Sequence, residues 1–222
     1  MDILLMLVAI VITAGAQLFV TSSYNKYKKV KAKGNLTGFE VARNILDSHN
    51  LNNVYITETT GTLSDHYDAS RKVIRLSKEV FHGSSIASYS VAAHEVGHAI
   101  QDKEGYSFLK IRSMIFPLVN FASYFGYIAI MIGIIFSVID FIWIGIALEI
   151  IILLFQLITL PVEFDASKRA LEELKKKNLL TKGEVANSKN MLTAAAFTYV
   201  ASVLSTVLQI LRLILVFGRS DD

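Results

Sequence analysis

The 222-residue sequence contains no cysteine and only two prolines, and its content of charged residues is low at 18%. Without cysteine the chain can form no disulfide framework, no thiolate metal site and no cysteine nucleophile. A net charge of +3 is too small to indicate a nucleic-acid partner. With 53% hydrophobic residues the chain is also too apolar to be disordered.

The hydrophobic residues are concentrated in four long runs with at most one charge each: Ile3–Asn25, Ser113–Ile139, Phe141–Pro161 and Asn190–Leu211. A helix needs about 20 apolar residues to cross the hydrocarbon core of a membrane. The runs therefore predict four transmembrane helices, near 3–22, 115–138, 141–160 and 191–211. The fourth run carries a polar stripe, so a buried core helix is the alternative at that position.

The positive charges are confined to the segments between these runs. Segments 23–113 and 161–190 contain 20 of the 22 Lys and Arg residues, which predicts that both face the cytoplasm of a multi-pass cell-membrane protein. Lysines follow the first run rather than precede it, so we expect an uncleaved anchor instead of a signal peptide. The predicted organisation is an anchor at 1–22, a cytoplasmic segment at 23–113, a transmembrane hairpin at 114–160, a cytoplasmic helix at 161–190, and a fourth transmembrane or buried helix with a tail at 191–222.

The two cytoplasmic segments predict a small folded domain. Thr37 and Glu40 form a capping-box pattern at the start of an amphipathic helix that ends near Ser48. Three runs have the composition of strands: Asn53–Glu58, Leu63–Tyr67 and Lys72–Ser77. A helix follows over Ser84–Gln101; Ser84 or Ser85 can cap its start, and Gly105 can end it. The fold class is therefore a mainly α integral membrane protein with about four transmembrane helices, plus a small α+β domain with a short antiparallel sheet.

The helix at 84–101 carries the pattern H-E-x-x-H, formed by His94, Glu95 and His98. Residues four apart lie on one helix face, about 6 Å apart along the axis. Two imidazoles in that arrangement can converge on one Zn²⁺ ion, with Zn–N distances of about 2.0–2.1 Å. Glu95 can then act as the general base toward water. The alternative is a pair of hydrogen-bonded histidines in the core.

A catalytic zinc site needs a third protein ligand. No third histidine follows His98 closely, and the stretch 20–25 residues downstream is apolar. Glu163 emerges from the third predicted span on the same side of the membrane as the histidines, in a helix that we expect to begin at Pro161. We predict Glu163 as the third ligand; the alternative is an acid that complements the helix dipole. Asp165 is expected either to orient a histidine N–H or to pair with Arg169.

Three stretches together resemble the YugP-like family of neutral zinc metallopeptidases of bacterial membranes: residues 94–101 (HEVGHAIQ), 64–68 (SDHYD) and 160–167 (LPVEFDAS). More distantly the layout is similar to gluzincins of the HtpX and CAAX prenyl protease type. The resemblance implies a zincin-like cytoplasmic domain with His94, His98 and Glu163 as zinc ligands and Glu95 as catalytic base. The distant relatives carry an acid four residues after the ligand glutamate, whereas this sequence has Ser167.

His66 and Tyr67 are further catalytic candidates, because either could donate a hydrogen bond to an oxyanion. The alternative interpretation of this stretch is a turn in which Asp68 accepts hydrogen bonds from local backbone N–H groups.

The expected function is a zinc-dependent endopeptidase with metal-activated water, embedded in the lipid bilayer and acting on membrane or juxtamembrane protein substrates close to the boundary between the membrane and the cytoplasm. The alternative is a zinc-binding membrane scaffold, a pseudoprotease without turnover. A metal transporter is disfavoured, because its ligands would lie near the middle of the bilayer and not at the ends of the spans.

Overall fold

A computed structural model describes residues 2–218 of the chain. Within these residues the elements follow in the order α1 (Asp2–Tyr27), α2 (Gly38–Ser48), β1 (Tyr55–Thr59), β2 (His66–Asp68), β3 (Val73–Ser77), α3 (Lys78–Phe81), α4 (Ile86–Glu104), α5 (Ser107–Phe136), α6 (Ile139–Lys176) and α7 (Lys182–Phe217). The predominance of helix confirms the predicted mainly α class. Residues 219–222 of the predicted tail lie outside the described part of the chain.

Four of the helices, α1, α5, α6 and α7, are long and apolar enough to cross a membrane. Within the most apolar stretch of each helix, the share of residues that are buried is 6% in α1, 33% in α5, and 17% in both α6 and α7. Large apolar side chains such as Met114 and Leu154 are exposed, as on a surface that faces lipid. The low burial of α7 speaks against the alternative of a buried core helix, so the number of apolar helices agrees with the four predicted.

Helix α6 corrects one prediction. A new helix was expected to begin at Pro161, but α6 continues without interruption from Ile139 to Lys176. A proline inside a helix removes one backbone hydrogen bond, and apolar membrane helices tolerate this loss where neighbouring groups compensate for it. The third apolar run and the segment that carries Glu163 are therefore parts of one helix.

The chain divides into two compact units. The first contains the chain up to Leu18, Lys110–Pro161, and the chain from Phe197 onward. The second contains Phe19–Leu109 and Val162–Ala196, and so includes α2, α3, α4 and the sheet.

In the first unit, the polar stripe of α7 forms hydrogen bonds with the other helices. Gln209 Nε2 donates to Glu149 Oε1 at 3.3 Å, and the hydroxyl groups of Thr13 and Ser205 lie 2.7 Å apart. These contacts give partners to Ser205 and Gln209 of the fourth apolar run and to the acid in the third, as polar groups in a membrane require.

The sheet of the second unit is mixed, in the order β1-β3-β2. Strand β2 pairs with β3 in the antiparallel direction, as predicted, but β1 pairs with β3 in the parallel direction. The prediction of a wholly antiparallel sheet is therefore wrong. A short turn at 69–72 joins β2 and β3 as a hairpin. Strand β1 pairs with the opposite edge of β3, so the connection from β1 to β2 crosses the sheet.

Helices α2 and α4 end as their sequences predict. The capping box of Thr37 and Glu40 is present at α2, where Thr37 Oγ1 accepts from Glu40 N at 3.2 Å. Ser85 caps α4 and accepts from the Ser88 backbone N–H, and Gly105 ends α4 in the left-handed conformation with φ of 67°. Apolar side chains of both helices pack with those of β3 in one buried core, which includes Val41, Ile45, Ile74, Leu76, Ala92 and Val96. This core fixes the position of α4.

Candidate metal centre

Helix α4 presents both histidines of the H-E-x-x-H pattern on one face. The ring centroids of His94 and His98 are 4.8 Å apart, with an angle of 83° between the ring planes. His98 is 8% exposed and Glu95 is 6% exposed, so this turn of the helix is nearly closed to solvent. The predicted spacing thus becomes a pair of adjacent imidazoles with a buried carboxylate beside them.

Glu163 of α6 completes the group. Its Oε2 atom lies 3.2 Å from His94 Nε2 and 3.6 Å from His98 Nε2, and the residue is 3% exposed. One ligand atom from each of the three residues lies within 4.8 Å of the others. The residue chosen from the sequence as the third ligand is therefore brought to the two histidines.

Gly97 allows α4 and α6 to approach this closely. A Cβ atom at Gly97 would lie 2.6 Å from the carbonyl oxygen of Ala166, closer than atoms can pack. Ala166 is one turn beyond Glu163 in α6, and Gly97 lies between the two histidines in α4. The backbone contact at Gly97 therefore holds the two parts of the ligand group together.

The remaining ring nitrogens of the histidines have partners of their own. Ser167 Oγ lies 3.2 Å from His94 Nδ1, and Gln101 Oε1 lies 3.0 Å from His98 Nδ1. The amide oxygen can only accept a hydrogen bond, so it favours a proton on Nδ1 of His98. In that tautomer the Nε2 atom offers its lone pair toward Glu163, as metal ligation requires.

Gln101 connects the histidine to a chain of polar groups. Its Nε2 atom donates to Val162 O and to Asp165 Oδ2, both at 2.8 Å. Asp165 also accepts from Arg169 Nε at 2.5 Å. Of the two expectations for Asp165, the pairing with Arg169 is observed, whereas the group next to His98 Nδ1 is Gln101 and Asp165 contacts Gln101 instead.

The sequence analysis missed the roles of Gln101 and Ser167 as hydrogen-bond partners of the histidines. For Gln101 the available signal was an amide one turn after His98 in a helix that is otherwise buried, and the residue proves to be 0% exposed. For Ser167 the signal was its position, where the distant relatives carry an acid.

The proximity of the three ligand side chains shifts their proton affinities. Burial acts to raise the pKa of Glu163, but hydrogen bonds with His94 and His98 outweigh it, so the pKa lies well below the ordinary range. For His98, burial acts to lower the pKa, but the contact with Glu163 outweighs it and the pKa is raised. Burial raises the pKa of Glu95. The site thus combines the ionised carboxylate of Glu163 with the carboxyl group of Glu95, which holds its proton more tightly than an ordinary glutamate does.

His66 and Tyr67 do not belong to this group. Tyr67 Oη donates to Asp102 Oδ2 at 2.7 Å, and His66 Nδ1 lies 2.8 Å from the Ser64 carbonyl oxygen. The proposed oxyanion role of either side chain stays a prediction. Asp68 behaves as the alternative interpretation expected, because it accepts from the backbone N–H groups of Ser70 and Arg71, each at 3.1 Å.

The hydrogen bond from the Ser70 hydroxyl is the main cause that lowers the pKa of Asp68 to about 2. This acid is therefore part of a turn, outside the ligand group.

The donor set fits zinc. Imidazole nitrogen and carboxylate oxygen are ligands that Zn²⁺ takes in catalytic sites, which use three protein ligands and leave one position open. His94, His98 and Glu163 supply this number and these types, and the Nε2 atoms of both histidines lie within 3.6 Å of Glu163 Oε2 while their Nδ1 atoms have outer partners.

Comparison with known proteins leads to the same chemistry. Residues 2–218 match the family described as "Putative neutral zinc metallopeptidase". The chain is 42% identical over 222 residues to the "Putative membrane protease YugP" of Bacillus subtilis (strain 168), and the alignment covers 99% of each chain. No solved structure matches the chain.

Proposed function

The chain belongs to this neutral zinc metallopeptidase family, and from that premise we propose that it is a membrane-embedded zinc endopeptidase. The observation that carries the proposal is the convergence of His94, His98 and Glu163 beside the buried Glu95. A buried carboxylate that only filled space would cost free energy without a compensating partner. Glu95 therefore favours an enzyme over a zinc-binding scaffold.

Each residue has a distinct task in peptide hydrolysis. His94, His98 and Glu163 would hold a zinc ion, which would supply a Lewis acid to lower the pKa of water and to stabilise negative charge on the substrate carbonyl oxygen. Glu95 accepts a proton from the water as its oxygen attacks the carbonyl carbon, and then delivers this proton to the leaving nitrogen as the C–N bond breaks. The raised pKa of Glu95 suits both transfers, because a general base works best when its pKa is near the operating pH.

The proposed substrates are membrane proteins or the segments next to their spans. Glu163 follows the apolar run 141–160 by three residues within α6, so the ligand group lies close in the chain to a membrane-crossing segment. The abundance of Lys and Arg in segments 23–113 and 161–190 supports a site that faces the cytoplasm.

The decisive experiment compares three forms of the full-length protein in lipid vesicles, incubated with membrane extract and assayed for cleaved proteins and for zinc. Glu95→Gln should lower cleavage by about 10²–10⁴-fold, because it removes the general base, and should retain zinc. His94→Ala should lose both zinc and cleavage. A wild type that binds zinc but cleaves nothing would identify a scaffold, and unchanged cleavage by Glu95→Gln would refute the role of Glu95 as general base. Equal zinc in His94→Ala and the wild type would refute the site.

The substrate class is tested separately with one cleavable peptide presented in two ways. The peptide attached to a membrane span should be cleaved faster than the same peptide free in solution. Equal rates would contradict a preference for membrane substrates and leave the zinc endopeptidase itself unaffected.

A further inference from the structure

A cavity of about 390 Å³ lies between α1 and α7, and its lining includes none of the ligand residues. From α1 it is lined by Phe19, Ser22 and Lys26, together with neighbouring residues, and from α7 by Asn190 and Thr193. None of its lining residues is acidic, and most carry a hydroxyl, amide or ammonium group. The cavity therefore offers hydrogen-bond donors and one positive charge to a ligand.

The position of the cavity along both helices is that of a membrane surface. Lys26 is the first charged residue after the run Ile3–Asn25, and Lys189 is the last before the run Asn190–Leu211. Phe19, by contrast, lies within the apolar part of α1 and is 49% exposed. A ligand in this cavity would meet polar groups at one end and apolar surface at the other.

Lys26 is the lining residue that supplies charge. Its Nζ atom lies 5.2 Å from the centroid of the Tyr27 ring, and no acid among the described residues forms an ion pair with it. The nearby Lys28 differs, since its ammonium pairs with Glu79 at 3.3 Å. Tyr27 is held in place by Asn190, whose Nδ2 atom donates to Tyr27 Oη at 3.4 Å. The Lys26 ammonium is thus available to an anion.

We propose that this cavity binds the phosphate headgroup of an anionic phospholipid. Basic pockets between membrane helices on the cytoplasmic side are suited to such headgroups, because the bilayer surface there is rich in anionic lipid. The Lys26 ammonium pairs with the phosphate, the hydroxyl groups of Ser22 and Thr193 donate to its oxygens, and an acyl chain lies along Phe19. This site is independent of the proposed peptidase activity.

The test measures lipid binding to the purified full-length protein by native mass spectrometry. Phosphatidylglycerol should bind, phosphatidylcholine should bind more weakly, and soluble glycerol phosphate should not displace the bound lipid at an equal concentration. Lys26→Gln should weaken phosphatidylglycerol binding by about fivefold or more, the effect of one charge near the surface. Lys29→Gln is the matched control, because it removes the same charge from the same basic segment at a residue that does not line the cavity.

Two further results would overturn the proposal. Equal losses in Lys26→Gln and Lys29→Gln would show a general attraction of basic segments to lipid, and displacement by glycerol phosphate would show a site for soluble phosphate compounds. Thr193→Val supplies a second probe, since this exposed residue contributes a hydroxyl without charge. Thr193→Val should also bind phosphatidylglycerol more weakly than the wild type does. An unchanged affinity would contradict the proposal that the headgroup lies in this cavity.

Discussion

At Gly97 the backbone of α4 lies against the backbone of α6, so one added methyl group there should disturb the ligand group. In Gly97→Ala the new Cβ atom would stand 2.6 Å from Ala166 O and 3.2 Å from Ala166 Cα. Ordinary contacts begin at 3.4 Å, so relief requires the helices to separate by about 0.8 Å. Zinc ligands are confined to within about 0.2 Å of their ideal distances.

The substitution is therefore expected to weaken zinc binding by at least about tenfold, comparable to the loss of a hydrogen-bond partner of a ligand. It should also lower the free energy of unfolding, because excess volume in a packed interior costs about 1–3 kcal/mol. Helix propensity alone predicts the opposite sign, since alanine is favoured over glycine by about 1 kcal/mol. Zinc affinity is measured by competition with a chelator, and stability by thermal unfolding of the detergent-purified protein.

Gly183→Ala is the matched control, since a Cβ atom at this exposed position of α7 would meet nothing within 4 Å. It should leave zinc affinity unchanged and stability unchanged or slightly higher. A Gly97→Ala protein that unfolds at a higher temperature than the wild type and binds zinc equally well would refute the conclusion that this backbone contact sets the distance between His98 and Glu163.

Four other predictions concern the ligands and their surroundings. Gln101→Ala should weaken zinc binding by about 10–100-fold, measured by chelator competition, because it removes the acceptor for His98 Nδ1; unchanged affinity would contradict this role. Ser167→Asp should bind zinc at least as tightly as the wild type and Ser167→Ala more weakly, since a carboxylate is the stronger acceptor for His94 Nδ1. Zinc affinity should fall by up to about tenfold per pH unit as the pH is lowered through the raised pKa of His98, because the bound proton must leave before the metal ligates. The stability of the zinc-free protein should show the opposite trend. The stability that His98 contributes is fully present below its ordinary pKa of 6.5 and is lost as the pH rises through the raised value. A temperature midpoint of unfolding that rises with pH over this range would contradict the pairing of His98 with Glu163.

The ligand residues could be predicted from the sequence because their chemistry is local. His94 and His98 are fixed by their spacing on one helix, and Glu163 was chosen because the distribution of Lys and Arg predicts that it lies on the same side of the membrane as the histidines. The four apolar helices and the caps at Thr37, Ser85 and Gly105 also follow from short stretches of sequence. Each of these features depends on neighbours in the chain or on a simple count of charges.

The features that the sequence did not predict depend on contacts between distant segments. Strand composition does not distinguish parallel from antiparallel pairing, so it could not predict that β1 pairs with β3 in the parallel direction. Proline locally favours the start or the end of a helix, yet α6 continues through Pro161. This continuity depends on the residues on both sides of the proline and not on the proline itself. The hydrogen bonds of Gln101 and Ser167 require the relative rotation of α4 and α6, which emerges from packing at Gly97. The ligands could thus be predicted from short stretches of sequence, whereas their hydrogen-bond partners depend on how distant segments pack.

The division of the ligands between α4 and α6 has a consequence for biosynthesis. The ribosome completes His94 and His98 before it adds α5 and the apolar part of α6, and only then does Glu163 follow. A nascent chain that has not yet inserted this helical hairpin lacks one of its three ligands, so it cannot form the complete centre. For the proposed peptidase, assembly of the complete metal centre is thereby tied to synthesis of the whole helical hairpin.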